Sequence, residues 1–153
     1  MAKQPNDFYY MGMALAEAKR AFAEDEVPVG AIVVCRGAVV GFGHNQREGL
    51  RDATAHAEML ALRMAMARLG GWRLPGATLY VTLEPCPMCA GALVQARIAR
   101  LVYATADPKS GAAGSVVELC QNPQLNHQVE VDSGPLAAEA SALLRAFFQR
   151  KRK

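Results

Sequence analysis

The sequence predicts an α/β layered domain, in which helices alternate with strands along the chain. Apolar residues recur at helical spacing, short β-branched runs lie between these segments, and turns that contain glycine or proline separate them. This regular interleaving also predicts parallel strand pairs in the later half of the chain. With 153 residues, 52% of them hydrophobic and 20% charged, the chain has the size and composition of one globular domain. We therefore expect residues 1–153 to form a single domain.

The first part of the chain predicts a helix and a β-hairpin. Five apolar residues share one face of a helix that we predict over 8–23: Phe8, Met11, Leu15, Ala18 and Phe22. The runs 29–35 and 38–42 are largely apolar, and the Arg36-Gly37 turn between them predicts a hairpin. The polar residues 43–51 that follow predict a loop.

The rest of the chain alternates between helices and strands. Thr54 is the expected N-cap of a helix that ends near Leu69, where Gly70 and Gly71 follow. Apolar runs and turn residues then predict the remaining segments: a strand at 77–83, a helix at 88–98, a strand at 100–104, a Gly-rich loop at 105–115, a short helix at 116–120, a strand at 127–131 and a helix from 136 to about 151.

One histidine and two cysteines have the spacing of a split set of zinc ligands. His56 lies about 30 positions before Cys86 and Cys89, a separation that fits one helix and one strand. Structural zinc sites are usually closed by four protein ligands, whereas catalytic sites have three and leave the fourth position to water. Glu58 lies two residues after His56, so on a regular helix the two side chains do not share a face. We therefore interpret Glu58 as a proton carrier and not as a ligand.

Each half of this set has an ordinary explanation when it is taken alone. A histidine near a helix start is often only a helix residue, and a Cys-x-x-Cys pair is typical of redox dithiols or of half a structural metal site. Met88 between the cysteines and the separate His56-x-Glu58 argue against redox chemistry. The two halves together supply three metal ligands and a nearby acid, which is the set of residues that metal-assisted hydrolysis requires. The joint pattern therefore favours a catalytic zinc site.

The net charge and the cysteine spacing limit the classes of binding partner and the cellular compartment that we expect. The formal net charge is +3, which permits nucleic-acid binding without indicating it. The four cysteines do not have the spacing of a disulfide framework. The sequence has no apolar signal region and no apolar run long enough to span a bilayer. We expect a cytoplasmic protein that does not interact with membranes.

The zinc motif resembles that of the cytidine deaminase-like superfamily. Three further segments are similar to the bacterial tRNA-specific adenosine deaminases: Glu26–Ala31, Leu79–Cys86 and Asp107–Ser115. The similarity as a whole runs from about Phe8 to Arg152. The resemblance implies a three-layer cytidine deaminase-like fold, with a five-stranded mixed sheet flanked by helices. It also implies a homodimer whose partner is a tRNA anticodon stem-loop, and we expect no DNA partner.

The resemblance also assigns roles to the residues of the zinc motif. It implies that His56, Cys86 and Cys89 hold one Zn²⁺ per chain, with water in the fourth place. Hydroxide then attacks C6 of adenine at the wobble position, and Glu58 carries the protons, so that adenosine is converted to inosine and ammonia.

Four residues outside the zinc motif are implied to bind the substrate. Asn45 matches a base-holding asparagine, Asp107 matches a position that contacts RNA, and Phe148 and Arg150 belong to the helix that lines the RNA groove. The residues alone allow plainer interpretations: a turn asparagine, a loop acid and a solvated basic end. Because Phe147 and Phe148 are adjacent on a helix, one should be buried, and we expect Phe148 to be the exposed one.

Two positions in the loop around Asn45 depart from the family pattern. His44 stands where a tryptophan is familiar, and Arg47 stands where a proline is. We therefore expect this loop to hold RNA differently from its counterparts.

Two other functions share part of this sequence pattern. A deaminase of a free base or nucleoside, such as guanine or cytosine, would have the same metal residues, but the loop at 107–115 and the basic end argue against it. A non-enzymatic, zinc-stabilised RNA-binding module would have no use for an uncoordinated Glu58. The sequence therefore favours zinc-dependent deamination of adenosine in a tRNA.

Overall fold

A five-stranded mixed sheet forms the middle layer of the protein in the computed structural model, which describes residues 6–152. The strands are β1 (Gly30–Cys35), β2 (Ala38–His44), β3 (Ala77–Leu83), β4 (Arg100–Thr105) and β5 (Glu130–Ser133). Their order in the sheet is β2-β1-β3-β4-β5. Strand β1 is antiparallel to both of its neighbours, whereas β3, β4 and β5 pair in parallel. The predicted parallel pairs in the later half of the chain are therefore confirmed.

Helices cover both faces of this sheet. They are α1 (Asp7–Ala23), α2 (Arg47–Leu50), α3 (Ala57–Leu69), α4 (Pro87–Gln95) and α5 (Ala137–Lys151). Helices α1 and α5 pack on one face, and α3 and α4 pack on the other. The result is the three-layer α/β fold that the sequence resemblance implies. No helix within residues 6–152 is long and apolar enough to cross a bilayer.

Side chains alternate along the central strand and so supply both layers of the core. Ile32 and Val34 of β1 belong to the apolar cluster under α1, whereas Ala31 and Val33 belong to the cluster under α3. Glycine permits a close approach where the α3 layer meets the sheet. A Cβ atom at Gly41 of β2 would overlap the carbonyl oxygen of Ala61 in α3. This close packing fixes the position of α3, whose first turn carries part of the candidate site.

A buried ion cluster joins α1 to strands β3, β4 and β5 on the face of the sheet that α1 covers. Arg100 donates two hydrogen bonds to the carboxylate of Asp7, at 2.9 and 2.8 Å, and two to Oδ2 of Asp132, at 3.0 and 2.8 Å. The hydroxyl of Tyr80 donates to Oδ1 of Asp7 at 2.8 Å. Because each buried charge has a hydrogen-bonded partner of opposite sign, the cluster satisfies the condition for burying charged groups.

The structure corrects the predicted N-cap of α3. Thr54 does not cap the helix, because its backbone N–H and its hydroxyl both donate to the carboxylate of Asp52. Helix α3 begins at Ala57, His56 occupies the N-cap position, and the N–H of Ala57 donates to Oδ1 of Asn45 at 2.8 Å. An amide from another loop therefore caps this helix, and no local pattern could indicate that.

Other segment boundaries also differ from the predictions. The predicted loop at 43–51 contains the end of β2 and the short α2. Helix α4 ends at Gln95 because Arg97 adopts a left-handed backbone conformation, with φ of 62°. The predicted helix at 116–120 is absent from the described chain, because this segment turns back and forms a bridge between Ala113 and Glu118. The last strand begins at Glu130, three residues later than predicted.

Candidate active site

Three possible metal ligands converge at the N-termini of two helices. His56 is the N-cap residue of α3 and Cys86 is that of α4, while Cys89 lies in the first turn of α4. Nδ1 of His56 lies 3.6 Å from Sγ of Cys86 and 3.4 Å from Sγ of Cys89. All three ligand atoms lie within 4.8 Å of one another. The sequence prediction that these residues come together is in agreement with this geometry, and the structure adds that the histidine presents its Nδ1 atom.

The distances between these atoms fit a tetrahedral zinc ion. Zinc lies about 2.1 Å from a histidine nitrogen and about 2.3 Å from a cysteine sulfur, so tetrahedral geometry separates the two atoms by about 3.6 Å. The observed separations of 3.4 and 3.6 Å match this value. One nitrogen and two sulfur atoms are also the donor types that zinc prefers. Among the described residues, His56, Cys86 and Cys89 could therefore hold the metal.

The local electrostatics favour a thiolate at Cys86. A hydrogen bond from the thiol of Cys89, together with a hydrogen bond and the charge of His56, lowers the pKa of Cys86 to about 4 against the effect of burial. The same hydrogen bond, together with burial and the charge of Glu58, raises the pKa of Cys89 above its usual range. A thiolate is the form of cysteine that a metal ion binds, and metal binding releases the thiol protons.

Glu58 lies beside the three possible ligands but is not one of them. Its side chain is only 3% exposed, and burial raises its pKa to about 7. Its Oε1 atom has no hydrogen-bond partner among the described residues. A buried carboxylate oxygen without a partner is unusual in a folded protein, because desolvation costs free energy that no hydrogen bond restores. This oxygen is therefore available to exchange a proton with a bound molecule.

A cavity of about 610 Å³ opens above the ligand group. It is lined by parts of four elements: Asn45 and Arg47 after β2, His56 and Glu58 of α3, the loop from Asp107 to Ser110, and Arg145, Phe148 and Arg152 on or just after α5. This volume lies within the usual range for small-ligand sites. Its position beyond the carboxyl end of β3 is also where ligands bind in open α/β sheets.

Asn45 is oriented by its contact with α3. Its side chain is buried, and its Oδ1 atom accepts the hydrogen bond from the N–H of Ala57. The amide nitrogen is then the part of this side chain that remains to contact a ligand, and it can only donate. Asn45 therefore presents a hydrogen-bond donor to an acceptor atom of whatever enters the cavity.

Asp107 has a structural role in its own loop. Its Oδ1 atom accepts hydrogen bonds from the N–H of Lys109 at 3.0 Å and of Ser110 at 3.2 Å, and its Oδ2 atom accepts from the Ser110 hydroxyl at 2.9 Å. These contacts form a local turn of the type that aspartate favours. Asp107 lines the cavity as well, so the turn and a contact with a ligand are compatible.

Helix α5 presents two different faces. Phe147 is 4% exposed and Phe148 is 44% exposed, which confirms the expected division between the two aromatic residues. Phe148 lines the cavity, but Arg150 does not. Arg150 lies over the ring of Phe22, with Cζ 4.3 Å from the ring centroid, and its Nη2 atom lies 3.2 Å from Oδ1 of Asp25. The last cation of the chain, Lys153, lies outside the described residues.

Arg145 was missed by the sequence prediction, and Arg152 was predicted only as one cation of the basic end at 150–153. Arg145 and Arg152 line the cavity together with Phe148. Their positions relative to Phe148 are −3 and +4, which places all three on one side of a helix. The helical spacing from Phe148 could have identified Arg145, and it could have distinguished Arg152 from the other cations at 150–153.

Comparisons with known proteins agree with this site. The MafB19-like deaminase family matches residues 5–152. The tRNA-specific adenosine deaminase of Bacillus subtilis is 50% identical over 96% of this chain and 91% of its own length. The protein of the same name from Agrobacterium fabrum is 49% identical over 94% of this chain and 95% of its own length.

Solved structures show the same fold. A structure from a study of A-to-I editing by tRNA:A34 deaminases at the wobble position of transfer RNA has a TM-score of 0.86 and 48% identity, and the match covers 89% of this chain and 99% of that one. A guanine deaminase from Nitrosomonas europaea has a TM-score of 0.77 and 28% identity, over 96% of this chain and 86% of that one.

The three-layer fold and the histidine–cysteine–cysteine group at two helix N-termini define a deaminase of the cytidine deaminase-like class. Within that class, the chain belongs to the MafB19-like deaminases and to the same family as the bacterial tRNA-specific adenosine deaminases.

Proposed function

We propose that this protein deaminates adenosine to inosine at the wobble position of a tRNA anticodon loop, and that it uses one zinc ion per chain. The observation that carries this proposal is the partnerless Oε1 atom of Glu58, buried beside a three-ligand metal group at the base of a cavity. A structural site would have no use for such a carboxylate, whereas hydrolytic deamination requires a group that moves protons. The names of the relatives support adenosine in tRNA as the substrate.

Each residue of the site would have a distinct role. His56, Cys86 and Cys89 would hold zinc, which lowers the pKa of a coordinated water and makes it nucleophilic at neutral pH. Glu58 would take a proton from the attacking water and return protons to the ring nitrogen and the departing amine of adenine. Water and adenosine are thereby converted to inosine and ammonia.

The walls of the cavity would orient the base. The amide nitrogen of Asn45 would donate a hydrogen bond to an acceptor nitrogen of the purine, because the Oδ1 atom is already occupied by the N–H of Ala57. This contact is compatible with adenine and with guanine, since both have acceptor nitrogens in the purine ring. Asn45 therefore positions a purine without by itself selecting between the two.

The rim of the cavity suits a single-stranded RNA loop. Arg47, Lys109, Arg145 and Arg152 line the cavity, and so does the exposed ring of Phe148. Cationic groups neutralise phosphates, and an aromatic ring stacks on an unpaired base. A tRNA anticodon loop supplies both features, whereas a free base supplies no phosphate for four cations.

We also propose that the protein is a homodimer and acts in the cytoplasm. Beside the loop at 105–115, Val116 and Val117 are exposed apolar side chains, and Leu50 of α2 is exposed as well. A second copy of the chain would cover such residues, and symmetric pairs are the commonest soluble oligomers. Light scattering of the purified protein should give twice the chain mass of 16.4 kDa. A stable, fully active monomer would contradict this proposal.

Nucleoside mass spectrometry of tRNA treated with the purified protein tests the proposed reaction. We expect inosine to form at the wobble position with the wild-type protein and not with the Glu58→Ala variant, whose zinc content should be unchanged. Guanine and cytosine should be offered to the same preparations. Deamination of a free base without formation of inosine in tRNA would overturn the proposal in favour of a free-base deaminase, and zinc-dependent RNA binding without either activity would favour a binding module.

A further inference from the structure

The carboxylate of Glu84 is buried at the base of the cavity and is held by one loop. The side chain is 2% exposed and follows the last residue of β3. Its Oε1 atom accepts hydrogen bonds from the N–H of Asp107, at 3.0 Å, and from the hydroxyl of Ser115. Its Oε2 atom accepts from the N–H of Ala113 at 2.9 Å and of Ser115 at 3.1 Å. Four donors from one loop therefore converge on a single carboxylate.

These donors lie on either side of cavity-lining residues. Asp107 precedes Pro108, Lys109 and Ser110 at the cavity wall, and Ala113 and Ser115 follow them along the chain. The N–H of Ala112 donates to the carbonyl oxygen of Pro85 at 2.8 Å, so the backbone beside Glu84 also holds the segment. We call residues 107–115 the substrate loop. Hydrogen bonds from N–H groups to a carboxylate are stronger than those between neutral groups, and so they restrain the loop firmly.

A glycine of the loop makes room for this carboxylate. A Cβ atom at Gly111 would lie 2.5 Å from each carboxylate oxygen of Glu84, and its three nearest neighbours would all belong to Glu84. The backbone of Gly111 does not adopt a positive φ, so alanine would be conformationally acceptable there if the carboxylate were absent. The identity of residue 111 is thus explained by contact with Glu84.

We propose that Glu84 is a positioning residue for the substrate: it holds the substrate loop, and through that loop the side chains of Asp107 and Lys109, in the geometry that receives RNA. Glu84 does not contact the reacting base, because both of its carboxylate oxygens are occupied by the loop. Its role rests on the proposed function only in the identity of the ligand, since the anchoring itself is independent of the reaction.

Glutamine is the sharpest substitution for this test. It has nearly the same shape as glutamate, but one oxygen is replaced by an NH₂ group. Whichever oxygen is lost, at least one backbone N–H group of the substrate loop then faces a donor and has no acceptor. We expect Glu84→Gln to raise the KM for an anticodon stem-loop RNA about tenfold or more, with a smaller change in kcat.

Amide hydrogen exchange gives a readout that does not depend on activity. In Glu84→Gln, the amides of Asp107, Ala113 and Ser115 should exchange at least about tenfold faster, while the zinc content stays that of the wild type. Asp132→Asn is the matched control, because it disturbs a buried carboxylate in the cluster around Arg100, remote from the cavity. This control should lower thermal stability without a change in KM or in the exchange of the substrate loop.

Alanine at Gly111 provides a second, independent perturbation. Gly111→Ala should displace the carboxylate and raise KM in the same way, whereas Gly12→Ala, on α1 with open space around its Cβ position, should not. The double variant Glu84→Ala, Gly111→Ala should be no worse than Glu84→Ala alone, because the methyl group then has no carboxylate to meet. Two perturbations of one contact are expected to be non-additive in this way.

The outcomes separate the proposal from its alternatives. An unchanged KM together with unchanged exchange of the loop amides in Glu84→Gln would overturn the proposal. Loss of zinc from that variant would overturn it as well. So would a double variant whose increase in KM equals the product of the increases in the two single variants. If the wild-type protein forms no inosine in tRNA, the proposed function fails by itself. The exchange measurement, made on the single variants and on the double variant, still decides whether Glu84 holds the substrate loop.

Discussion

The two faces of α5 lead to a quantitative prediction about RNA binding. Arg145 and Arg152 line the cavity beside Phe148, whereas Arg150 is turned towards Phe22 and Asp25. If RNA occupies the cavity, the first two arginines should neutralise phosphates and Arg150 should not. The double variant Arg145→Ala, Arg152→Ala should therefore bind an anticodon stem-loop more weakly and with less dependence on salt.

The magnitude follows from counterion release. Each phosphate of a single strand that a cation neutralises contributes about 0.7 to the slope of log K against log salt concentration, so two arginines contribute about 1.4. Between about 50 and about 200 mM salt, a difference of 1.4 in slope corresponds to about a sevenfold difference in the loss of affinity. Wild-type affinity should thus fall about sevenfold further over this range than the affinity of the double variant.

Fluorescence polarisation of a labelled stem-loop across a salt series measures this slope directly. The control is Arg150→Ala, which removes one cation from the other face of α5 and should leave the slope near that of the wild type. Phe148→Ala offers the opposite comparison, because loss of a stacked ring should cost about 1–3 kcal/mol of binding free energy with little effect on the slope. An unchanged slope in the double arginine variant, or an equal change in Arg150→Ala, would refute the assignment of the two faces.

Four further predictions concern the metal, the proton carrier, the core and the C-terminal ion pair. Elemental analysis should find close to one zinc per wild-type chain, most of which Cys86→Ala should lose; retention of the zinc would contradict the ligand assignment. Single-turnover kinetics of Glu58→Ala should show a loss of about 10²–10⁴-fold or more with normal zinc content, and a near-normal rate would exclude the proposed proton route. Arg100→Met should lower the free energy of unfolding by about 3–5 kcal/mol in chemical denaturation, because it removes the cation that hydrogen-bonds to two buried carboxylates; a loss under about 1 kcal/mol would contradict this. The pKa of Asp25 is lowered below its usual range, mainly by a hydrogen bond and the charge from Lys151 and also by Arg150, against a smaller effect of desolvation. The ion pair therefore stabilises the fold above the pKa of the unfolded state, and this stability is lost as the pH falls through the pKa of the folded state. Titration by NMR should show that pKa rising in Lys151→Ala, and an unchanged pKa would show that the ion pair does not persist in solution.

The order of helices and strands was largely predictable because the signals are local. The period of apolar residues placed α1, the hairpin of β1 and β2, and β3 within one or two residues of their observed bounds. Predictions failed where backbone groups find partners outside their own helix or strand, even at short separations in sequence. Thr54 has the right chemistry for an N-cap, yet the N–H of Ala57 pairs with Asn45 of another loop. Residues 116–120 have the composition of a short helix, but they pair with the substrate loop instead.

The sequence by itself determined the chemistry of the site, and the tertiary structure decided its arrangement. His56, Glu58, Cys86 and Cys89 were identifiable because zinc chemistry requires particular residue types at short, regular spacings. The positions of Arg145, Arg152 and Glu84 at the cavity were not predictable, because arginine and glutamate are common surface residues whose surroundings depend on the fold. Arg150 is the clearest example: its position next to an exposed aromatic residue indicated RNA contact, and only the packing of α5 against α1 turned it towards Asp25. Burial, orientation and long-range pairing are properties of the folded chain, since they depend on residues that only folding brings together, such as Arg150 and Asp25, which are 125 positions apart in sequence.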